Sequence, residues 1–222
     1  MGGSVERLGV ELPSDWRAFV ERYGHVQYHG DLAVVTPALG SGCRATMDWC
    51  ELTEWIERLV AARTGDHRSD PDSALAAPPG LRPPAGASRI AELEGWLRQP
   101  IEPGYREFLE FSDGMDNFRS GMPLLGWRDW PSGDTLSRAL RFLDTITGID
   151  VHVDEGLSED AVLAPVLVNG DGTVGIFMVW DEESPEKRYF WVGNGDAAFF
   201  STLSEVFDVA SGVRSWSDFS TE

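Results

Sequence analysis

The sequence predicts an α+β fold: a twisted antiparallel sheet packed with N-terminal and C-terminal helices. Three observations carry this expectation. Residues 88–114 (SRIAELEGWLRQPIEPGYREFLEFSDG) show the 3.6-residue apolar period of two short helices that meet at prolines. Apolar runs at 162–168, 173–180 and 187–192 then arrive in close succession, separated by turn-forming or charged residues. Finally, Thr202 and Glu205 have the spacing of a capping box in front of a last apolar helix. Strands grouped between helical ends favour a layered antiparallel arrangement over alternating βαβ units.

In chain order, Pro13 opens a first helix whose stripe is Trp16, Phe19, Val20 and Tyr23, and Gly24 closes it. Residues 25–37 read as strand, Gly30 turn, strand. Residues 46–63 form an amphipathic helix, because Leu52, Trp55, Ile56, Leu59 and Val60 share one face. Thr64 and Gly65 end it. Residues 66–88 hold Pro71, Pro78, Pro79, Pro83 and Pro84 among Ala, Gly and Ser, a composition that favours an extended linker. The expected organisation is a shorter unit at 1–65, a Pro/Ala-rich linker at 66–88, and a fuller domain at 89–222.

Within 89–222, Ser88 is placed to cap the helix carrying Ile90, Leu93 and Leu97. Pro103 starts the next, with Tyr105, Phe108 and Leu109 as its stripe and Gly114 as a left-handed C-cap. Residues 122–130 read as strand and loop. Asp134 caps a helix bearing Leu136, Ala139, Leu140, Leu143 and Ile146, which ends at Gly148. Residues 150–160 form an acidic loop. Asn169-Gly170-Asp171-Gly172 supplies the positive-φ residues of a tight hairpin. Leu203, Val206 and Phe207 are the buried side of the last helix.

The stretch at 88–114 has a partner earlier in the chain. Aligning Trp16 with Tyr105 places Phe19 on Phe108 and Arg17 on Arg106, so a helix, a proline and aromatic-Arg-x-Phe occur twice. At these residues the chain resembles the SUKH superfamily, which includes bacterial immunity proteins and a fungal regulator of cell-wall synthesis. Members carry a helix with spaced Ile/Leu, then Leu-Pro-x-x-Tyr-x-x-Phe-Leu, then a glycine-bearing turn. LPSDWRAF at 12–19 matches with Trp in the Tyr place; IEPGYREFL at 101–109 departs at the Leu-Pro pair. Members end in hairpin strands and a short helix rich in Phe and Glu, which FFSTLSEVF at 199–207 is similar to. The resemblance covers most of 89–212 and roughly 5–37. It implies a SUKH-like domain preceded by a partial copy. Either that copy leans on the second unit, or its missing strands come from the C-terminal part and residues 89–150 are an insertion; the sequence leaves both open.

The formal net charge is −19, from 37 acidic and 18 basic residues. Residues 1–88 carry 12 acidic and 8 basic side chains, and residues 89–222 the other 25 and 10, so the field is concentrated in the second part. Affinity for phosphate comes from Lys and Arg displacing counterions, so neither nucleic acid nor an anionic membrane is an expected partner. A basic protein is, because opposite charge accelerates encounter. Acidity that serves solubility alone is the plainer reading. No apolar run reaches the ~18–20 residues of a membrane span, and MGGSVERLG lacks a signal peptide's basic and apolar regions. A cytoplasmic protein is the expectation. Its two cysteines, Cys43 and Cys50, do not suggest a disulfide framework.

Catalytic patterns are not found: no G-x-S-x-G, no P-loop and no H-E-x-x-H. Asn169, Asp171 and Thr173 open like a calcium loop, but Trp180 stands where the twelfth-position glutamate is required. His25, His29, Cys43 and Cys50 do not have structural-zinc spacing. No catalytic residue, metal or cofactor is therefore expected. The resemblance implies a binding protein that neutralises a basic toxin domain, such as a nuclease, by acidic occlusion. Asp154, Glu155, Asp181, Glu182, Glu183 and Glu186 are the candidate partner-binding carboxylates, with Trp180 and Trp191 as candidate anchors. A regulatory or scaffold module without a toxin partner is the alternative, and an enzyme or small-ligand protein with a pocket between helices and sheet the third. Partner identity and oligomeric state are not encoded in any pattern found.

Overall fold

A computed structural model describes residues 24–29, 32–37, 49–72, 79–130 and 133–219. The helix expected from Pro13 and its aromatic stripe, Cys43, and the middle of the proline-rich stretch lie outside them. The chain divides into two compact units, residues 1–53 and 54–222. In the first, β1 (Gly24–His29) and β2 (Leu32–Pro37) form the expected antiparallel hairpin, with Gly24 opposite Pro37 and His29 opposite Leu32. Helix α1 (Trp49–Ser69) begins in this unit and continues into the second.

The second unit is built on one antiparallel sheet of seven strands in sequential order. They are β3 (Gly80–Leu81), β4 (Met115–Arg119), β5 (Met122–Leu124), β6 (Val162–Val168), β7 (Val174–Trp180), β8 (Tyr189–Gly193) and β9 (Asp196–Phe200). Among the described residues there are six α-helices. After α1 come α2 (Ala87–Leu97), α3 (Pro103–Phe111), α4 (Asp134–Gly148), the single turn α5 (Val151–Asp154) and α6 (Leu203–Ser211). The α+β class with an antiparallel sheet is what the chain adopts.

Helices lie on both faces of the sheet, and strand alternation shows which side chain goes where. Phe177, Val179, Phe190, Val192 and Ala197 pack with Ile146 of α4 and Leu157 in one cluster. The opposite face carries Tyr189, whose hydroxyl donates to Glu102 at the start of α3. It also carries Trp191 and Phe200, both of which pack on Trp216. Phe207 of α6 meets Trp55, Phe108 and Phe118, tying α1, α3, α6 and β4 together. Each fully buried aromatic or aliphatic side chain contributes about 1.5–3 kcal/mol by leaving water. Because both faces are covered, Tyr189, Phe190 and Trp191 are all buried. Helix α4 closes one side of this aromatic run and the residue 216 turn the other.

The ends of α2, α3 and α4 differ from expectation by one or two residues, for local reasons. Gly86 rather than Ser88 occupies the N-cap of α2, with φ of 75° and no side-chain bond. Gly133 rather than Asp134 precedes α4, leaving Asp134 in the first turn, where a carboxylate favours the helix dipole. Pro103 does open α3, and the Glu102 side chain caps it, accepting from the Tyr105 N–H at 2.9 Å. Gly114 does not close that helix. Ser112 does, in extended geometry, and Gly114 (φ 85°) turns the chain into β4, where a Cβ would meet the Leu124 carbonyl at 2.7 Å. Thr202 caps α6, and Glu205 reaches back to the Ser201 N–H at 2.7 Å. Arg63 donates to the Ala210 carbonyl and Arg119 to that of Val209, two cations at the end of α6 where the helix dipole is negative.

The stretch expected to be a linker is held at both described ends. Helix α1 runs past Gly65 to Ser69, where Thr64 and Ser69 hydroxyls donate to the carbonyls of Val60 and Gly65. Residues 80–81 are the first strand of the sheet, opposite Asp116 and Met115. Ala85 N–H donates to the Leu109 carbonyl and Asp113 N–H to that of Pro83, both at 3.0 Å. Arg82 reaches Asp129 at 2.6 Å and Asp116 at 2.5 Å. Its partners are 47 and 34 positions away, so composition alone reads as linker what tertiary pairing makes an edge.

Candidate partner-binding face

The candidate face is the corner where β7 ends and β8 begins. The connection 181–188 crosses there, and the segment 154–161 after α5 lies against it. Two sets of bonds join them. Asp181 Oδ2 accepts from the Ser158 N–H, and Oδ1 from the Ser158 hydroxyl, both at 2.9 Å. Oδ1 also accepts from the Glu183 N–H at 3.0 Å, which folds the connection back on itself. From the other side, Lys187 Nζ donates to the Gly156 carbonyl at 2.6 Å while lying 4.3 Å over the Phe199 ring. The α2–α3 junction meets the same strand ends: the Trp180 indole N–H donates to the Pro100 carbonyl at 2.9 Å, and Tyr189 donates to Glu102.

This arrangement sorts the sequence-derived residues. Asp181 is only 8% exposed. Burial pushes its carboxyl up, but the N–H donors of Ser158 and Glu183, the Ser158 hydroxyl and the Lys187 charge outweigh that and hold it below the ordinary range. It is a latch between two loops. Trp191 is 7% exposed and stacks on Trp216 with centroids 4.4 Å apart, so it belongs to the core. Trp180 is half-buried, with its N–H already engaged. Glu155 is half-buried at the end of α5. Asp154, Glu182, Glu183 and Glu186 are exposed, as are Glu159 and Asp160, which sit on the joined segment.

The electrostatics of the corner follow from pairing. Among the described residues, none of Asp154, Glu159, Asp160, Glu182, Glu183 and Glu186 takes part in an ion pair. Residues 154–161 and 181–188 hold eight acids against Lys187 and Arg188, so a net negative field is what this geometry can offer, and it favours cations and basic proteins. Glu159 and Asp160, part of the acidic loop expected at 150–160, are not among the sequence-derived candidate residues. The signal that brings them in is the Asp181–Ser158 contact across 23 positions, which no local pattern carries.

No group of three or more His, Cys, Asp and Glu side chains placed to hold a metal occurs among the described residues. No described helix is long and apolar enough to cross a membrane. Side chains of His25, His29, Cys43 and Cys50 lie outside the description. No family model, no curated protein and no solved structure matches this chain.

Proposed function

We propose that the chain is an immunity-type binding protein that neutralises a basic toxin domain, such as a nuclease, by laying an acidic surface over the groove that would hold phosphate. The observation that carries this is the corner just described: exposed carboxylates without ion-pair partners on two loops that Asp181 and Lys187 fasten together. Fixed loops matter, because a backbone already held in place loses less entropy on docking. The field accelerates encounter, and partly buried groups such as Trp180 supply contact area that slows release. The resemblance of residues 12–19 and 101–109 to the SUKH pattern supports the same reading.

A pull-down with the full chain against the secreted proteins of its own strain tests it. The expected catch is a protein with a basic domain whose activity the chain suppresses. Charge reversal at Glu182, Glu183 and Glu186 should slow association by about tenfold or more at low salt. Capture of basic cellular proteins only, with no secreted one, would replace toxin neutralisation by a regulatory or scaffold role. Binding kinetics indifferent to the charge reversal would remove the corner from the interface.

A further inference from the structure

The sheet face under α4 and α5 is incompletely covered towards β9. A hollow of about 330 Å³ opens there, lined chiefly by Phe142, Val151, Glu155, Val192, Asp196 and Ala197. That volume lies at the low end of the ~300–1,000 Å³ typical of small-ligand sites. Its floor is apolar: Val192 and Ala197 are buried on the sheet, and Phe142 and Val151 approach from the helices. Glu155 and Asp196 are the only charged residues in its lining. The β8–β9 turn that carries Asp196 has Asn194 (φ 58°) and Gly195 (φ 88°) at its centre, the conformation of a tight two-residue hairpin.

A hollow with an apolar floor and two carboxylates in its lining selects its guest by chemistry. An anion meets like charge. A purely apolar group would take water from the exposed Asp196 carboxylate without replacing its hydrogen bonds. An arginine or lysine side chain satisfies both parts, because its methylene stem packs on apolar surface while its head seeks carboxylate. We propose that this hollow seats an arginine or lysine side chain of the basic partner, with the stem against Phe142, Val151, Val192 and Ala197 and the charged head at Glu155 and Asp196. The inference rests on the reading that the partner is basic. It adds a specific socket at the β8–β9 turn to the diffuse field of the β7–β8 corner, and α5 links the two, with Asp154 at the corner and Glu155 in the hollow.

The test is an amide-resolved NMR titration of the full chain with Nα-acetyl-arginine amide, and in parallel with Nα-acetyl-citrulline amide, a neutral probe of nearly the same shape. Shifts centred on Gly193, Asn194 and Gly195, at least about threefold tighter for the arginine probe, are expected. Glu155→Gln and Asp196→Asn should each reduce that preference by about threefold. Asp196 is exposed on the turn, so its variant reads the site even if Glu155→Gln disturbs folding. The socket is overturned by equal affinity for both probes, by indifference to Asp196→Asn, or by shifts confined to residues 182–186. The last result, with a basic protein still captured in a salt-sensitive way, would remove the socket and leave the proposed function standing. Arginine entering the hollow while no basic protein binds the chain would do the reverse.

Discussion

Two acidic regions of this molecule have opposite characters. At the β3–β4 edge, every carboxylate has a cation. Asp113, fully buried, accepts from Arg128 at 2.9 Å, while Asp116 and Asp129 share Arg82. Asp129 also takes the Gly126 N–H at 2.7 Å. At the β7–β8 corner, six exposed carboxylates form no ion pair among the described residues, and the one buried acid, Asp181, is satisfied by N–H and hydroxyl donors. The difference teaches that a low pI does not locate a surface. Paired acids hold the fold and are electrostatically quiet; unpaired ones exert the field that a partner meets.

The largest expected effect breaks the paired region. A Cβ at Gly126 would lie 2.2 Å from the Asp113 carbonyl oxygen, a backbone atom that cannot step aside. Gly126→Ala should destabilise the chain by about 3 kcal/mol, seen as a lower denaturant midpoint. Arg82→Ala, which strands the mostly buried Asp129, should cost about 2–3 kcal/mol by the same measurement. Neither change should alter the salt dependence of partner binding in whatever fraction remains folded.

An intermediate effect separates latch from field. Asp181→Asn should cost about 1–2 kcal/mol and speed hydrogen exchange at the Ser158 and Glu183 amides. The sign with pH is fixed by the depressed carboxyl. Its contribution is fully present above the unfolded value of about 3.9 and is lost as pH falls through the lower folded value. The parent should therefore lose stability more steeply than Asp181→Asn below about pH 4, checked by unfolding at a series of acid pH values. Parallel curves would deny Asp181 its role.

The smallest stability effect belongs to the exposed corner. Changing Glu182, Glu183 and Glu186 to Gln should move stability by no more than about 0.5 kcal/mol each, because none of these side chains has an ion-pair partner among the described residues. A loss of several kcal/mol on thermal unfolding would show that these residues are structural after all.

The sequence made some of this legible and hid the rest for physical reasons. Apolar period placed α1, α3, α4 and α6, and the Asn169–Gly172 turn placed the β6–β7 hairpin, with Asn169 Oδ1 accepting from the Thr173 N–H at 2.8 Å. Such signals are local. Strand β9 went unread although Asn194-Gly195 announces a hairpin, because the Phe199-Phe200 pair reads equally well as the approach to α6. The roles of Arg82, Asp181 and Trp191 are set by residues 23 to 47 positions away, beyond any window of periodicity. The acidic character of residues 154–160 and 181–186 was plain from composition. That one carboxylate there serves the fold while its neighbours face solvent was not.

The most direct measurement is the association rate of the captured basic partner across ionic strength, for three forms of the chain: the parent, the Glu182/Glu183/Glu186→Gln variant, and a control with an equal number of paired acids neutralised, Glu94, Glu110 and Asp116. The account predicts that the corner variant associates about tenfold more slowly at low salt and with a flatter salt dependence, while the control follows the parent. Equal slowing in corner variant and control would contradict it, since the field would then belong to net charge and not to the unpaired corner.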